Sequence, residues 1–156
     1  VLFRSGASQR HKHLQWIPES RQSSNFIALT RALEEHGAHA PGPCRHPALP
    51  FRHVFMRLAA TGNDPTYALA DALHTAYLGA CGALAIDTGQ ATLPPYNLLA
   101  NRHWLLLVPR SQECFEDISV NALGFAASLF VREHSQLARI RTVGPLAVLS
   151  AVAYPD

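Results

Sequence analysis

The sequence is poor in charge, in cysteine and in long apolar runs, and each shortage removes a class of protein. Charged residues make up 15% of its 156 residues and the formal net charge is +2. That is too balanced to mark a disordered or polybasic chain, so no nucleic acid polymer is expected as a partner. The three cysteines, Cys44, Cys81 and Cys114, are odd in number and include no C-x-x-C pair. Neither a disulfide framework nor a cysteine-rich zinc site is implied, and free thiols are expected. The longest strongly apolar run, Trp104 to Val108, is far too short to cross a bilayer, and no charged-then-apolar leader opens the chain. A soluble, cytoplasmic protein with no membrane partner is the expectation. There is no internal repeat, and no G-x-G-x-x-G or G-K-[ST] phosphate loop. An initiator methionine is also missing. The opening Val1-Leu-Phe-Arg-Ser5 reads as the translation of a sequencing-adapter tail, so residues 1–5 are expected to be artefact and stand outside the fold reasoning.

What the sequence does contain is apolar content of 48%, enough at this length for one domain burying roughly two-thirds of its unfolded surface. Near its start stands Ser5-Gly-Ala-Ser-Gln-Arg-His-Lys-His-Leu-Gln15. On a strand, alternation puts His11, His13 and Gln15 on one face and Lys12 and Leu14 on the other. Two imidazoles and an amide in a row suit attack on phosphorus: one imidazole is the nucleophile and a neighbour holds it in the right tautomer. His13, the middle member, is taken as the nucleophile. Gln15 can donate to a phosphoryl oxygen but cannot deliver a proton near neutral pH. A site ending in Gln therefore favours transfer to an acceptor that needs little proton help, such as phosphate, where a third histidine would favour hydrolysis. By itself an H-x-H reads more often as surface histidines on an edge strand. The flanking Ser8-Gln9, the Gln at the third position and the separated later blocks at residues 95–99, 104–111 and 118–126 together tip the balance toward chemistry.

Ser8-Gln9 followed by His11-x-His13-x-Gln15 resembles the nucleotidyltransferase branch of the histidine-triad superfamily, which includes galactose-1-phosphate uridylyltransferase. The longer string is similar to the ATP adenylyltransferases, or diadenosine tetraphosphate phosphorylases. Three later blocks resemble the C-terminal part of that family in the right order: Pro95-Tyr-Asn-Leu-Leu, Trp104-Leu-Leu-Leu-Val-Pro-Arg-Ser111 and Ile118-Ser-Val-Asn-Ala-Leu-Gly-Phe-Ala126. The resemblance runs over residues 5–153, with residues 6–89 as the motif-bearing part and 90–153 as the C-terminal part of one fold unit. It implies that an N-terminal portion of the family is missing. It also implies a Mg2+ ion, for which no ligand can be read in the sequence, and contact with the nucleotide near Asn101 and Asn121. Arg10 stands where the family often has proline or an apolar residue, which bears on the turn geometry and leaves the nucleophile untouched.

The elements follow from pattern. Ser23 or Ser24 caps a helix over residues 25–36, with Phe26, Leu29 or Thr30, and Leu33 on one face and Gly37 as the stop. The prolines at 41, 43, 47 and 50 predict a stiff loop. His36, His39, Cys44 and His46 fall near it, but their spacing fits no paired-ligand pattern for zinc. Residues 53–58 alternate as a strand expected to pack against the motif strand, with Val54, Met56 and Leu58 on one face. Asn63-Asp64-Pro65 opens a helix to about Cys81 with Ala70, Leu73, Tyr77 and Cys81 as its core face, and Gly79 to Gly89 reads as loose. Residues 96–100 and 103–108 form a hairpin around Asn101-Arg102, its second strand buried on both faces. Arg110 and Ser111 sit at a strand end, facing either phosphate or solvent. Gly124 signals a close approach to ligand or to another strand. Ser135 caps a helix to about Val143, and Gly144-Pro145 starts a last one.

Strands mixed with helices, without regular βαβ alternation, predict an α+β fold with an antiparallel sheet, and the resemblance implies a histidine-triad-like sheet with covering helices. The mechanism expected is a double displacement. His13 attacks the α-phosphorus of a dinucleoside polyphosphate or nucleoside triphosphate, and inorganic phosphate then attacks the adduct. His11 fixes the geometry, Gln15 and Ser8 donate to the non-bridging oxygens, and Gln9 shapes the loop. The competing expectations are a histidine-triad hydrolase, against which Gln15 speaks, and a nucleotide-binding fragment without turnover.

Overall fold

The computed structural model describes residues 15–37, 42–59 and 66–156. A short 3-10 turn, Glu19–Arg21, precedes helix α1, Ser24–Gly37. Ser23 opens that helix as expected, its Oγ accepting from the Phe26 amide at 3.2 Å. After an irregular, proline-rich segment come strand β1, Val54–Arg57, and helix α2, Thr66–Ala83. The hairpin follows as β2, Tyr96–Ala100, and β3, Trp104–Pro109. A small ribbon, β4 (Cys114–Phe115) with β5 (Ile118–Ser119), leads to α3 (Ala122–Phe125), α4 (His134–Val143) and α5 (Pro145–Val152).

The main sheet has the order β1-β3-β2 with both pairings antiparallel. All six residues of β3 are buried, and a continuous apolar run of that kind must be covered on both faces. Trp104, Leu106 and Val108 face one core with Phe55, Leu33 of α1, and Val148, Leu149 and Val152 of α5. Leu105 and Leu107 face the other, with Val54, Leu84, Ile86 and the Ala76, Ala80 and Cys81 side of α2. The α+β expectation, an antiparallel sheet with covering helices, is therefore what the chain adopts.

Strand β1 pairs with β3, with Val54 opposite Leu107 and Arg57 opposite Trp104, while residues 11–14 of the motif strand expected beside it lie outside the described residues. On its other edge β1 makes one bridge, Phe55 to Cys44. Helix α2 runs through both Gly79 and Gly82 to Ala83, where a loose segment was expected. At Gly79 a Cβ would sit 3.1 Å from Met56 Cε, so the methionine of β1 packs close against the bare helix backbone. Ala70 is exposed, and the buried stripe of α2 runs through Ala76 and Ala80. Glu133 holds the N-cap position of α4, and Ser135 Oγ donates to its Oε2 at 3.2 Å. Gly124 is a close approach as expected: a Cβ would sit 2.9 Å from Val120 Cγ1 and 3.0 Å from Leu129 Cδ2, so its neighbours are core side chains.

No helix among the described residues is long and apolar enough to cross a membrane. Cys44, Cys81 and Cys114 are free thiols.

Candidate functional site

The two ends of β3 differ in chemistry. At its start, the hairpin loop is built by Asn101. Its Oδ1 accepts from the amides of His103 at 2.8 Å and Trp104 at 3.0 Å, and its own amide donates to the Trp104 carbonyl at 3.0 Å. This Asx-type turn explains why the chain reverses there without glycine. The turn leaves His103 exposed and delivers Trp104 into the sheet.

Register then brings a cation beside the indole. Arg57 lies directly opposite Trp104, so the two side chains emerge on one face of the sheet. Helix α1 crosses the same face, where Phe26 tilts against Trp104 with ring centroids 6.5 Å apart. Phe55 packs on it at 5.8 Å. Glu34, two turns beyond Phe26, joins Arg57, His103 and Trp104 in lining a cleft of about 280 Å³. Trp104 is 1% exposed, yet its Nε1–H has no hydrogen-bond partner among the described residues, and Thr30 Oγ1 on α1 is likewise buried without one among them. Glu34 and Arg57 form no ion pair with each other or with another described residue. The cleft thus sets a carboxylate and a cation that make no ion pair with a described residue beside a buried indole.

The far end of β3 is closed by Arg110, which is fully buried. Its Nε donates to the Val152 carbonyl at 3.0 Å, Nη1 to Val120 at 2.9 Å, and Nη2 to Gln112 at 2.8 Å and Glu113 at 3.1 Å. The guanidinium also lies 5.5 Å from the Phe125 ring centroid. Burial draws its pKa down to about 10, so it remains charged at neutral pH while it ties α5, the ribbon and β3 together. Neither a phosphate-facing nor a solvent-facing role fits this residue: its donors are spent on backbone carbonyls. Asn121 stands near this end, with its Oδ1 accepting from the Leu123 amide at 3.0 Å as the cap of α3.

A third polar group lies beneath the proline-rich segment. His53 is buried, with Nδ1 2.7 Å from the Phe51 carbonyl and Nε2 accepting from the His46 amide at 2.8 Å. The first contact needs a proton on Nδ1 and the second a lone pair on Nε2, so the ring is held neutral in one tautomer. Burial, the largest cause, keeps its pKa below the ordinary histidine value. His46 stacks edge-on against His36 at 5.1 Å and its Nδ1 accepts from the Ala48 amide. His39 lies outside the described residues.

Of the residues expected to act, Ser8, Gln9, His11 and His13 lie outside the described residues. Gln15 is exposed and outside any helix or strand, nine residues before α1. Asn101 and Asn121 stand near opposite ends of β3 and are not brought together. Sequence reasoning passed over Glu34, Arg57, His103 and Trp104. The available signal was Arg57, a cation closing an otherwise apolar strand on the same face as Phe55.

An antiparallel sheet covered by helices on both faces, with polar groups gathered at the strand ends, defines an α+β domain. Residues 47–155, more than two-thirds of the chain, match the ATP adenylyltransferase C-terminal domain, and the chain belongs to that family. Its fold is similar to that of yeast Ap4A phosphorylase Apa2, with a TM-score of 0.68 and 20% identity over 97% of this chain and 53% of that one. The crystal structure of the same yeast protein with AMP gives 0.65 and 18% over 97% and 53%. The structure with Ap4A gives 0.64 and 18% over 97% and 51%. The chain spans about half the length of these relatives. No curated protein matches it.

Proposed function

We propose that the chain is part of a nucleotidyltransferase that carries out phosphorolysis of diadenosine tetraphosphate to ATP and ADP, or the reverse adenylyl transfer, through a nucleotidyl-histidine on His13. The observation that carries this reading is the coincidence of the family match over residues 47–155 with His11-x-His13-x-Gln15 ahead of it, a motif found from chemistry and lying outside the matched span. The likeness in fold to a protein whose crystal structures hold AMP and Ap4A supports the substrate class.

In the first step an imidazole nitrogen of His13 attacks the α-phosphorus, a P–N bond forms, and the bridging P–O bond breaks as the remaining polyphosphate leaves. In the second step a phosphate oxygen attacks the same phosphorus, the P–N bond breaks, and a nucleoside diphosphate departs with His13 restored. His11 orients the nucleophile. Gln15 and Ser8 donate to the non-bridging oxygens, where charge accumulates in each transition state. Because phosphate arrives already anionic, no proton donor is needed at position 15, which fits an amide there. Among the described residues no group of three or more His, Cys, Asp or Glu could hold a metal ion. A Mg2+ ion on the polyphosphate would neutralise its charge, and no step above depends on it.

The test is to incubate the chain, alone and joined to the missing family portion, with α-labelled diadenosine tetraphosphate, quench, and assay acid-labile label on His13. Label that vanishes in His13→Gly and is discharged by inorganic phosphate supports the proposal. Release to water without phosphate indicates a hydrolase. Binding without label in both forms indicates a non-catalytic nucleotide-binding fragment, a reading favoured by the half-length coverage.

A further inference from the structure

We infer that the segment Cys44–Ala48 is an acid-released clasp on the edge of β1, held shut by the rings of His46 and His53 and opening while the rest of the sheet stays folded. The geometry makes both rings acceptors. His53 Nε2 accepts from the His46 amide at 2.8 Å, and His46 Nδ1 accepts from the Ala48 amide at 3.2 Å. A protonated imidazole carries hydrogen on both nitrogens, so each of these contacts would then set a donor against a donor. His53 has no room to turn away, since it is 1% exposed and its Nδ1 is committed to the Phe51 carbonyl at 2.7 Å.

Little else holds the clasp. Arg45, Pro47 and Ala48 are exposed and Cys44 and His46 half-buried, whereas Leu49 and Phe51 just after them belong to the core. A segment with so little buried apolar surface opens by itself at low cost. Its remaining ties are the paired backbone contacts of Cys44 with Phe55, at 3.0 and 2.8 Å, the Leu49 amide on the His46 carbonyl, and an exposed ion pair of Arg45 with Asp156. The charges about the two rings favour release. Arg45 and His46 face His53, and His36 of α1 lies against His46 with ring centroids 5.1 Å apart, so a proton taken up by either ring meets other cations. Two carbonyls oppose this, that of Phe51 at His53 and that of Ala32 on α1 at His46. Burial is the largest cause at both rings, and both titrate below the ordinary histidine value. The bonds are therefore intact at neutral pH and are lost as pH falls below about 6.5 through the folded-state values. Release frees the amide and carbonyl of Phe55, so β1 has a closed edge at neutral pH and an open one in acid.

The test is amide hydrogen exchange on the whole chain between about pH 7.5 and about pH 5, a range that brackets histidine titration. Rates are expressed as protection factors, which removes the intrinsic pH dependence of exchange. Protection at the Cys44, His46 and Phe55 amides is expected to fall roughly ten-fold or more across that range, as loss of a buried hydrogen bond implies, while the β3 amides keep theirs. In His53→Gln a side-chain oxygen can accept from the His46 amide at any pH, and in His46→Asn another can accept from the Ala48 amide. The double variant should therefore hold its protection level over the whole range. Wild-type protection that stays flat overturns the inference. Loss at β3 in step with the clasp does the same, since it marks global unfolding, and so does a double variant that opens with the wild-type profile. The wild-type comparison of clasp with β3 needs no variant, so it decides even where the double variant does not fold.

Discussion

Arg110 offers the sharpest test of how the structure is held together. Replacing it by Met removes the donors to four backbone carbonyls. Val152 and Glu113 keep backbone donors, from the amides of Ser111 and Val120. Val120 and Gln112 depend on the guanidinium. At about 1.5 kcal/mol for each of those two orphaned acceptors, and about 0.5 kcal/mol for each of the others, the loss comes to about 4 kcal/mol. Relief from burying a charge returns roughly 1 kcal/mol, since an apolar side chain of similar volume needs no desolvation of an ion. The net expectation is a loss of about 3 kcal/mol. With a urea slope of about 2 kcal/mol/M, the unfolding midpoint should fall by about 1.5 M with the slope unchanged. Arg110→Lys should fall between, because one ammonium cannot span carbonyls from α5, the ribbon and the segment after β3 at once. Equilibrium urea unfolding followed by far-UV circular dichroism reads both. An Arg110→Met chain with an unmoved midpoint and lost phosphate-dependent turnover would put the guanidinium against substrate, and the reasoning would fail.

Other perturbations probe single features. His53 has a folded-state pKa below its unfolded value, so the unfolded chain takes up its proton first as pH falls. Stability is present above about pH 6.5 and declines below it toward the folded pKa, and His53→Gln should flatten that acid limb in unfolding measurements between about pH 7 and 5. Gly37→Ala places a Cβ 2.4 Å from Phe55 Cε1, forcing a core ring to move, and should cost about 1–3 kcal/mol in thermal unfolding despite alanine's better helix propensity. Asn101→Ala removes the acceptor for two loop amides and should lower stability by about 1 kcal/mol. If stability is unchanged while KM for the dinucleotide rises, the side chain serves substrate more than the turn.

Much of the fold could be read from pattern because its signals were local. The apolar run of β3 announces a strand covered on both faces, Asn101-Arg102 marks the reversal, Ser23 opens α1 and Gly144-Pro145 opens α5. The misreadings arose where a distant residue decides the outcome. Gly82 reads as a breaker in isolation, but α2 continues through it to Ala83, held by Ala76, Ala80 and Cys81 packed against the sheet. Arg110 at a strand end looks outward until α5 and the ribbon fold over it. The candidate chemistry divides in the same way. His11, His13 and Gln15 are legible as a contiguous motif, whereas Glu34, Arg57 and Trp104 meet only through strand register and the crossing of α1.

The placement of β3 between two separate cores has a consequence for how the chain tolerates change. Leu106 and Leu107 are adjacent in sequence yet contribute to different hydrophobic clusters, whereas Leu106 shares its cluster with Val148, some forty residues away. Neighbours along the strand should therefore behave as strangers in a double-mutant cycle, and distant residues as partners. Packing beneath α2 can be altered through Leu105 and Leu107 with little disturbance to the opposite side, where Trp104, Leu106 and Val108 belong to the other core.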